Sequence, residues 1–382
     1  MSNGFPAPAN LQSEAMSSGK QTFCLTMIVK NEAHVIARCI DSVRPLITSW
    51  CIVDTGSTDG TQELVRKELA DLPGDLYERP WKDFGHNRSE AIELARGKAD
   101  YDLVMDADDT LVIPDGFIMP RLTADSYEIR IDDSGTSYYR VHFFRGDLDF
   151  HYVGVLHEVI RSSPGRTLAR LDGLSYRRAY DGARSTDPQK FRKDAAVLEK
   201  ALKADPDNAR YAFYLAQSWR DAGEYARAAA AYERRSKMGG WIEEVWYSLY
   251  ERARLADRLD EDADAIVGHY LRAYETRPQR AEAPCELARC LRFRGRPAAA
   301  YPFARAASDI PLPNDVLFID DAVYAWRALD ELGVAAFYAG RYREGIAANE
   351  RLLSGPALPA GERARVQKNL EFCKKELGPP AP

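Results

Sequence analysis

The sequence predicts a doubly wound α/β domain with a mostly parallel sheet, followed by an all-α solenoid of helical repeats. Before about residue 185, short apolar runs alternate with segments of helical spacing. After that point almost every segment has helical spacing, and pairs of helices recur with a period in the mid-thirties. Strands that alternate with helices are typical of parallel βαβ units, which gives the first domain its expected sheet.

Four strands and three helices are expected to alternate in the first domain. Apolar and β-branched runs predict the strands, and apolar residues at helical spacing predict the helices. We place the strands at 22–29, 49–56, 74–81 and 101–108, and the helices at 31–46, 57–72 and 86–99. From about 120 to 182 the runs are short and aromatic, and we expect antiparallel strands that extend the sheet.

The second half of the chain repeats one helix–turn–helix pattern. Three copies have a glycine in the expected turn, at Gly223, Gly295 and Gly340, and a degenerate copy covers 241–278. These units resemble tetratricopeptide repeats, which stack into a solenoid with a concave binding surface. We therefore divide the chain into a disordered tail at 1–20, an α/β domain at 21–184 and a repeat domain at 185–382.

Composition limits the class of protein. The formal net charge of −6 argues against nucleic-acid binding. Six scattered cysteines without a CxxC pair favour a reducing compartment, and the polar first twenty residues lack the features of a signal peptide. No apolar run approaches the ~20 residues of a membrane span. A cytoplasmic protein without a transmembrane segment is expected, and a homo-oligomer is compatible with the sequence.

The stretch "LVMDADDT" sets Asp106, Asp108 and Asp109 directly after an apolar run. Side chains alternate along a strand, so Asp106 and Asp108 are expected to point to one side and to share a divalent cation, Mn²⁺ or Mg²⁺. The alternative is an acidic turn after a buried strand, in which "DADDT" caps a helix.

Three motifs in order resemble the family 2 glycosyltransferases, which have a Rossmann-like GT-A fold. They are "CLTMIVKNEAHVIARCIDSV", "CIVDTGSTDGT" and "DADD", and the resemblance covers residues 22 to about 160. It implies a UDP-sugar donor.

The resemblance also implies roles for individual residues. Asp54 would bind the uracil or ribose, Val29 and Asn31 would line the nucleoside, and Ala107 would lie beside the nucleotide between the metal ligands Asp106 and Asp108. The alternative for Asp54 is to cap the next helix, together with Ser57.

The segment "PWKDFGHNRSEAIELA" resembles one in several bacterial members of that family. There an arginine matching Arg88 reaches the diphosphate or base, which agrees with the affinity of helix starts and guanidinium groups for anions. The alternative is a surface arginine paired with Glu90 or Asp83.

The segment "HYVGVLHEVI" resembles one that repeat-fused members carry after their sheet. By that resemblance His157 would be a third metal ligand and Glu158 the general base. The alternative is that His157 bonds within the sheet while Glu158 faces solvent. His151, Asp147 and Asp149 are further base candidates.

Together these features predict an inverting, metal-dependent enzyme. It would move a hexose-type sugar from a UDP-sugar to a peptide or protein acceptor, on Ser/Thr or Cys, with the acceptor held by the repeats. One alternative is a lipopolysaccharide or other saccharide acceptor. Another is an interaction scaffold with a degenerate transferase domain.

Overall fold

A computed structural model describes residues 20–133 and 136–377 of the chain. The chain divides into two compact units, which meet in the sequence at Asp187 and Pro188. The tail predicted at 1–20 lies outside the described residues, except for Lys20.

The first unit begins with the predicted alternation of strands and helices. Four parallel strands come first, and three helices connect them. The strands are β1 (Phe23–Val29), β2 (Ser49–Asp54), β3 (Gly74–Glu78) and β4 (Tyr101–Val104), and the helices are α1 (Ile36–Val43), α2 (Thr61–Glu68) and α3 (Phe84–Ala95). Helix α1 begins five residues later than predicted because Asn31, with φ at 58°, leaves β1 in a left-handed turn.

The rest of the first unit completes the sheet with three antiparallel pairings and one parallel pairing, and adds a separate hairpin. The strands are β5 (Thr110–Val112), β6 (Ser126–Asp133), β7 (Thr136–Arg145), β8 (His151–Val153), β9 (Val159–Arg161) and β10 (Leu168–Arg177). The main sheet has the order β3-β2-β1-β4-β7-β6-β10-β5, while β8 and β9 form a separate hairpin. Strand β7 runs antiparallel to β4, whereas β10 runs parallel to β6, so the sheet is mixed beyond its first four strands.

Both faces of the central strands are buried, which explains their nearly continuous apolar sequences. On one face Leu25 of β1 and Leu103 of β4 belong to the core that contains Ile36 and Ile40 of α1. On the other face Cys24 packs with Cys51 and with Ala95 of α3. The two cysteines are therefore small buried core residues.

The acidic stretch does not continue strand β4, contrary to prediction. The strand ends at Val104, and the amide of Asp109 donates to the carbonyl of Asp106 at 3.2 Å, which closes a turn. Asp106 and Asp108 therefore lie in a turn, and the alternation of a strand does not set their directions. The alternative of a helix after the turn is also wrong, because β5 follows.

The second unit is built of helices. They are α4 (Lys190–Ala204), α5 (Ala209–Asp221), α6 (Tyr225–Ser236), α7 (Ile242–Arg258), α8 (Ala263–Thr276), α9 (Glu282–Phe293), α10 (Pro297–Asp309), α11 (Ala328–Tyr338), α12 (Tyr342–Ser354) and α13 (Arg363–Leu377). A π-helical turn, Val323–Arg327, leads directly into α11. Within the described residues, no helix is both long and apolar enough to cross a membrane.

Helices α5 to α12 form antiparallel pairs joined by tight turns. Gly223, Gly295 and Gly340 take left-handed conformations in three of these turns, with φ at 77°, 75° and 68°. In the degenerate copy Asp260 takes that position with φ at 52°, which aspartate tolerates better than most residues. This arrangement confirms the predicted α/β domain followed by helical repeats.

Candidate active site

Polar side chains collect at the carboxyl ends of β1, β2 and β4, where ligands bind in open α/β sheets. Asp54 is the last residue of β2, and Asp106 follows the end of β4 by two residues. The short parallel strands bring these residues to one edge of the sheet, as predicted.

Asp54 is buried and uses one carboxylate oxygen to shape the loop after β2. Its Oδ1 accepts hydrogen bonds from the amides of Gly56 and Ser57 at 2.8 and 2.9 Å, and from Gln62 Nε2 at 3.2 Å. Its Oδ2 is buried and accepts no hydrogen bond from any described residue. An unpaired buried acceptor is costly, so this oxygen is suited to a ligand that donates.

The loop after β1 is tied to the loop after β2. Asn31 donates its amide to Ser57 Oγ, and its side-chain Oδ1 accepts from the amide of Thr58, both at 2.8 Å. The buried Val29 accepts from the amide of Thr55 at 2.9 Å. Asn31 and Val29 therefore lie beside Asp54, and the amide oxygen of Asn31 holds the loop. That these two residues line a nucleoside stays a prediction.

Arg88 of α3 joins two carboxylates, the buried side chain of Glu158 and the partly exposed side chain of Asp106. Its Nη2 pairs with Asp106 Oδ1, and its Nε lies 2.8 Å from Glu158 Oε1. The guanidinium also lies over the ring of Tyr152, 5.6 Å from its centroid. The side chains of Arg88 and Glu158 are each 8% exposed, so Arg88 is not the surface arginine of the alternative prediction. Glu90 pairs instead with Arg79 at 3.0 Å.

Charge balance in this cluster favours ionised groups. Burial alone would raise the pKa of Asp106, but Arg88 and Arg140 outweigh it and hold that pKa below its usual range. Burial also opposes the charge on Arg88, yet Asp106 and Glu158 raise its pKa above the usual value. The two groups form an ion pair at the edge of the sheet.

The other aspartates of the turn hold the segment that follows β10. Asp108 Oδ2 accepts from the amide of Gly182 at 3.3 Å, and Asp109 Oδ1 accepts from the amide of Ala179 at 2.8 Å. A side chain at Gly182 would lie 2.8 Å from Asp108 Oδ2, so only glycine permits this approach. Burial, reinforced by Asp106, raises the pKa of Asp108. Ala107 is buried between the two aspartates.

The hairpin of β8 and β9 is fastened to the start of α3. The amide of Gly85 donates to the carbonyl of Gly154 at 3.1 Å, and a Cβ on Gly85 would lie 2.4 Å from that oxygen. His157, with φ at 53°, is exposed in the turn of the hairpin, and Glu158 follows it. This left-handed turn, and not the alternation of a regular strand, places Glu158 where its carboxylate reaches Arg88.

The remaining base candidates lie outside this cluster. His151 and Tyr152 are neighbours on β8, so their side chains point to opposite faces, and Tyr152 is the one near Arg88. Asp147 pairs with Arg145 at 2.7 Å. Asp149 accepts from the amide of Ser163 and from Arg166, both at 2.9 Å. Both aspartates are occupied in local loop contacts.

Residues that the sequence did not single out lie directly beneath Asp106. His142 of β7 is buried, and its Nδ1 lies 2.7 Å from the carbonyl of Val104, so Nδ1 carries the proton. Burial and Arg140 lower the pKa of His142 to about 3, which keeps it neutral. Its ring stacks on Tyr176, whose hydroxyl accepts from the amide of Asp106 at 3.1 Å. The only signal was the polar pair Arg140 and His142 within an otherwise aromatic strand.

The described side chains at this site do not complete the coordination of a divalent cation, so a bound substrate or water would have to supply further ligands. Among residues 20–133 and 136–377, no three His, Cys, Asp or Glu side chains are grouped so that they could hold a metal ion. The three predicted ligands are thus not gathered, and a metal role for His157 stays a prediction. Two carboxylates nevertheless suit Mg²⁺ or Mn²⁺, because such ions commonly take phosphate oxygens and water as further ligands.

Comparisons with known proteins agree with this geometry. The family described as Glycosyl transferase family 2 matches residues 24–114. A TPR repeat-containing protein of Synechococcus elongatus is 26% identical over 307 residues, which cover 74% of each chain. The glycosyltransferase SunS of Bacillus subtilis is 24% identical over 215 residues, 52% of this chain and 49% of SunS.

Two solved structures match parts of the chain at low similarity. S. aureus TarS 1–349, solved in complex with UDP, is 16% identical with a TM-score of 0.33, covering 67% of this chain and 88% of its own. YrrB, a TPR protein with an unusual peptide-binding site, is also 16% identical with a TM-score of 0.34, covering 48% and 82%.

The α/β unit with its polar edge, together with the family match, defines a glycosyltransferase. Residues 24–114 form a family 2 glycosyltransferase domain, and the chain joins it to tetratricopeptide-like repeats.

Proposed function

We propose that the chain is an inverting, metal-dependent glycosyltransferase. It would transfer a hexose-type sugar from a UDP-sugar to a peptide or protein acceptor, on Ser/Thr or Cys. The observation that carries the donor proposal is the buried Asp54 Oδ2, which accepts no hydrogen bond from a described residue. Uracil offers an N3–H donor, which such an oxygen would accept.

The loops around Asp54 support a nucleoside site. Gly56 and Gly60 have φ values of 109° and 90°, and an added Cβ would meet nothing at either position. Because Asp54 Oδ2 is covered, a nucleobase reaches it only if the residues around Asp54 move. Val29 and Asn31 border the same space through their bonds to Thr55 and Thr58.

The diphosphate would lie at the acidic turn. Asp106 and Asp108 would hold Mn²⁺ or Mg²⁺, which when bound supplies Lewis-acid stabilisation of the leaving diphosphate. Arg88 stands beside Asp106 as a second source of positive charge. Since Arg88 is already paired with Asp106 and Glu158, its main effect is to hold both carboxylates in place.

The proposed reaction is a single displacement. The bond between the anomeric carbon and the diphosphate oxygen breaks, and a bond from that carbon to the acceptor oxygen or sulfur forms. The acceptor proton passes to a base. Glu158 remains the favoured base, because among the four predicted candidates its carboxylate is the one at the Arg88–Asp106 cluster.

Thermal unfolding with nucleotides tests the donor proposal. UDP with Mn²⁺ should raise Tm, since a ligand at 100 times its Kd stabilises by about 2.7 kcal/mol. For a unit of this size, at about 2–4 °C per kcal/mol, that is a shift of about 5–11 °C. ADP and CDP should shift Tm less, because adenine N1 and cytosine N3 carry no hydrogen that they could donate to Asp54.

Two aspartate variants separate metal binding from nucleotide binding. Asp108→Asn should lose the extra shift caused by Mn²⁺ and keep the shift caused by UDP alone. Asp115→Asn, a change of the exposed aspartate after β5, should behave as wild type. If no nucleotide shifts Tm with or without Mn²⁺, the scaffold alternative replaces this proposal.

A further inference from the structure

An irregular segment of the repeat unit lies across the first helices of three helix pairs. Between α10 and the π-helical turn, residues 310–320 form no helix or strand, and helical structure resumes at residue 321. Residues 314–319, here named the strap, contact α5, α7 and the start of α9. We call the surface under the strap the strap groove, formed by Phe213, Glu243, Tyr247 and Arg280.

The strap groove binds the strap through its backbone. The amides of Val316 and Leu317 both donate to Glu243 Oε2, at 2.9 and 2.8 Å. The carbonyls of Leu317 and Phe318 accept from Arg280 at 3.2 and 3.1 Å. One carboxylate and one guanidinium thus satisfy four backbone groups of three consecutive residues, and contacts to the backbone hold an extended peptide without regard to most of its side chains.

Two side chains add sequence preference. Asp315 lies 2.9 Å from Arg277 Nε and 3.2 Å from Arg280 Nη1, and its side chain is 7% exposed. Three residues later, the ring of Phe318 lies 4.8 Å from Tyr247 and stacks on Phe213 at 6.4 Å. The groove therefore recognises an aspartate followed at the third position by an aromatic residue.

Arg280 of the groove is also held by contacts outside the strap. It pairs with Glu282 at 2.8 Å, and its guanidinium carbon lies 3.9 Å from the centroid of the Trp246 ring. These contacts favour the orientation of Arg280 that binds backbone carbonyls, which lowers the cost of binding a peptide.

Part of the strap is exposed on the surface of the groove. It pairs with no strand, Val316 is 78% exposed, and Phe318 is 49% exposed with φ at 45°. We propose that the strap groove is a peptide-binding site that this chain occupies with its own segment. The partner is an extended polypeptide segment with the pattern Asp-x-x-aromatic, and it competes with the strap.

This proposal does not depend on the proposed sugar transfer, because peptide binding by the repeat unit is measured without any sugar donor.

The strap is tethered at both ends and has an effective concentration of roughly 1 mM at the groove. A peptide in solution must exceed that concentration to displace the strap. Removal of an anchoring aromatic ring typically weakens such a contact about tenfold. A loosened strap should therefore yield to a peptide at about 0.1 mM.

The test is fluorescence anisotropy with a labelled peptide of the strap sequence, LPNDVLFID, and the full chain. Phe318→Ala should bind this peptide about tenfold more tightly than wild type. Phe293→Ala, which removes an exposed phenylalanine at the end of α9, should bind as weakly as wild type. The reversed peptide should not bind any of the three proteins.

Further variants make the result decisive. Val316→Pro removes one amide donor to Glu243 at an exposed position, so it should also release the strap and increase peptide binding. Adding Glu243→Ala to Phe318→Ala should abolish the gain. The proposal is overturned if neither loosened variant binds the peptide more tightly than wild type, or if binding survives Glu243→Ala.

Discussion

Replacement of Asp54 by asparagine exchanges a hydrogen-bond acceptor for a donor without disturbing the loop. The amides of Gly56 and Ser57 require an oxygen at the Oδ1 position, so the new amide group is oriented with its nitrogen in the place of Oδ2. That nitrogen would face the N3–H of uracil, donor against donor. Cytosine, whose N3 is an acceptor, would instead gain a partner.

The magnitude follows from the burial of this oxygen. A hydrogen bond to a charged group contributes about 1.5–3 kcal/mol, and Asp54 is 1% exposed, so screening by water is small. UDP should therefore bind Asp54→Asn about 10- to 150-fold more weakly. The preference for UDP over CDP should fall by at least the same factor, because CDP binding should hold or improve.

Isothermal titration calorimetry with UDP and CDP measures both affinities on one protein. The comparison of two bases controls for any general loss of folding, since a damaged loop would weaken both nucleotides alike. An equal loss for UDP and CDP, or no loss for either, would refute the assignment of Asp54 to the base.

Three further perturbations test the structure around the site. Burial raises the pKa of Asp102 to about 7 in the folded chain. The folded state therefore holds this proton more tightly than the unfolded state does, which stabilises the fold fully below about pH 4. That stabilisation is lost as the pH rises through about 7. The stability advantage of Asp102→Asn over wild type should therefore grow by roughly 2–3 kcal/mol between pH 5 and pH 8 in urea unfolding. Arg88→Met leaves two carboxylates unpaired and should cost about 3 kcal/mol, part of which Glu158→Gln in the same chain should restore. Gly85→Ala forces a Cβ against the carbonyl of Gly154, so it should lower Tm and weaken UDP binding, and an unchanged Tm would contradict the close approach.

Local patterns were sufficient where a residue's role depends on its neighbours in the chain. The buried strands β1 and β2 and the turn glycines of the repeats follow from composition and spacing. The end of β4 could not be predicted in this way. The strand stops at Val104, but the sequence "LVMDAD" still has buried apolar residues at Met105 and Ala107. What ends the strand is the bond from Asp109 to Asp106, which no periodicity reports.

Contacts between distant parts of the chain account for most of what was missed. His142 and Tyr176 reach the acidic turn from strands far along the sequence, and each looks like an ordinary strand residue. The strap was also not foreseen, since its segment lies between two recognisable repeats and has no pattern of its own. The pairing of Arg88 with Glu158 depends on a left-handed residue, His157, which sequence alone did not indicate.

Release of UDP from UDP-sugars tests the central claim most directly. The full chain should free UDP from at least one UDP-sugar in a panel, in the presence of Mn²⁺, even when water is the acceptor. Asp106→Asn should abolish the release while the far-UV circular dichroism stays that of wild type, and Asp115→Asn should leave the rate unchanged. Release that continues undiminished in Asp106→Asn, or no release from any UDP-sugar by the wild-type chain, would contradict the account.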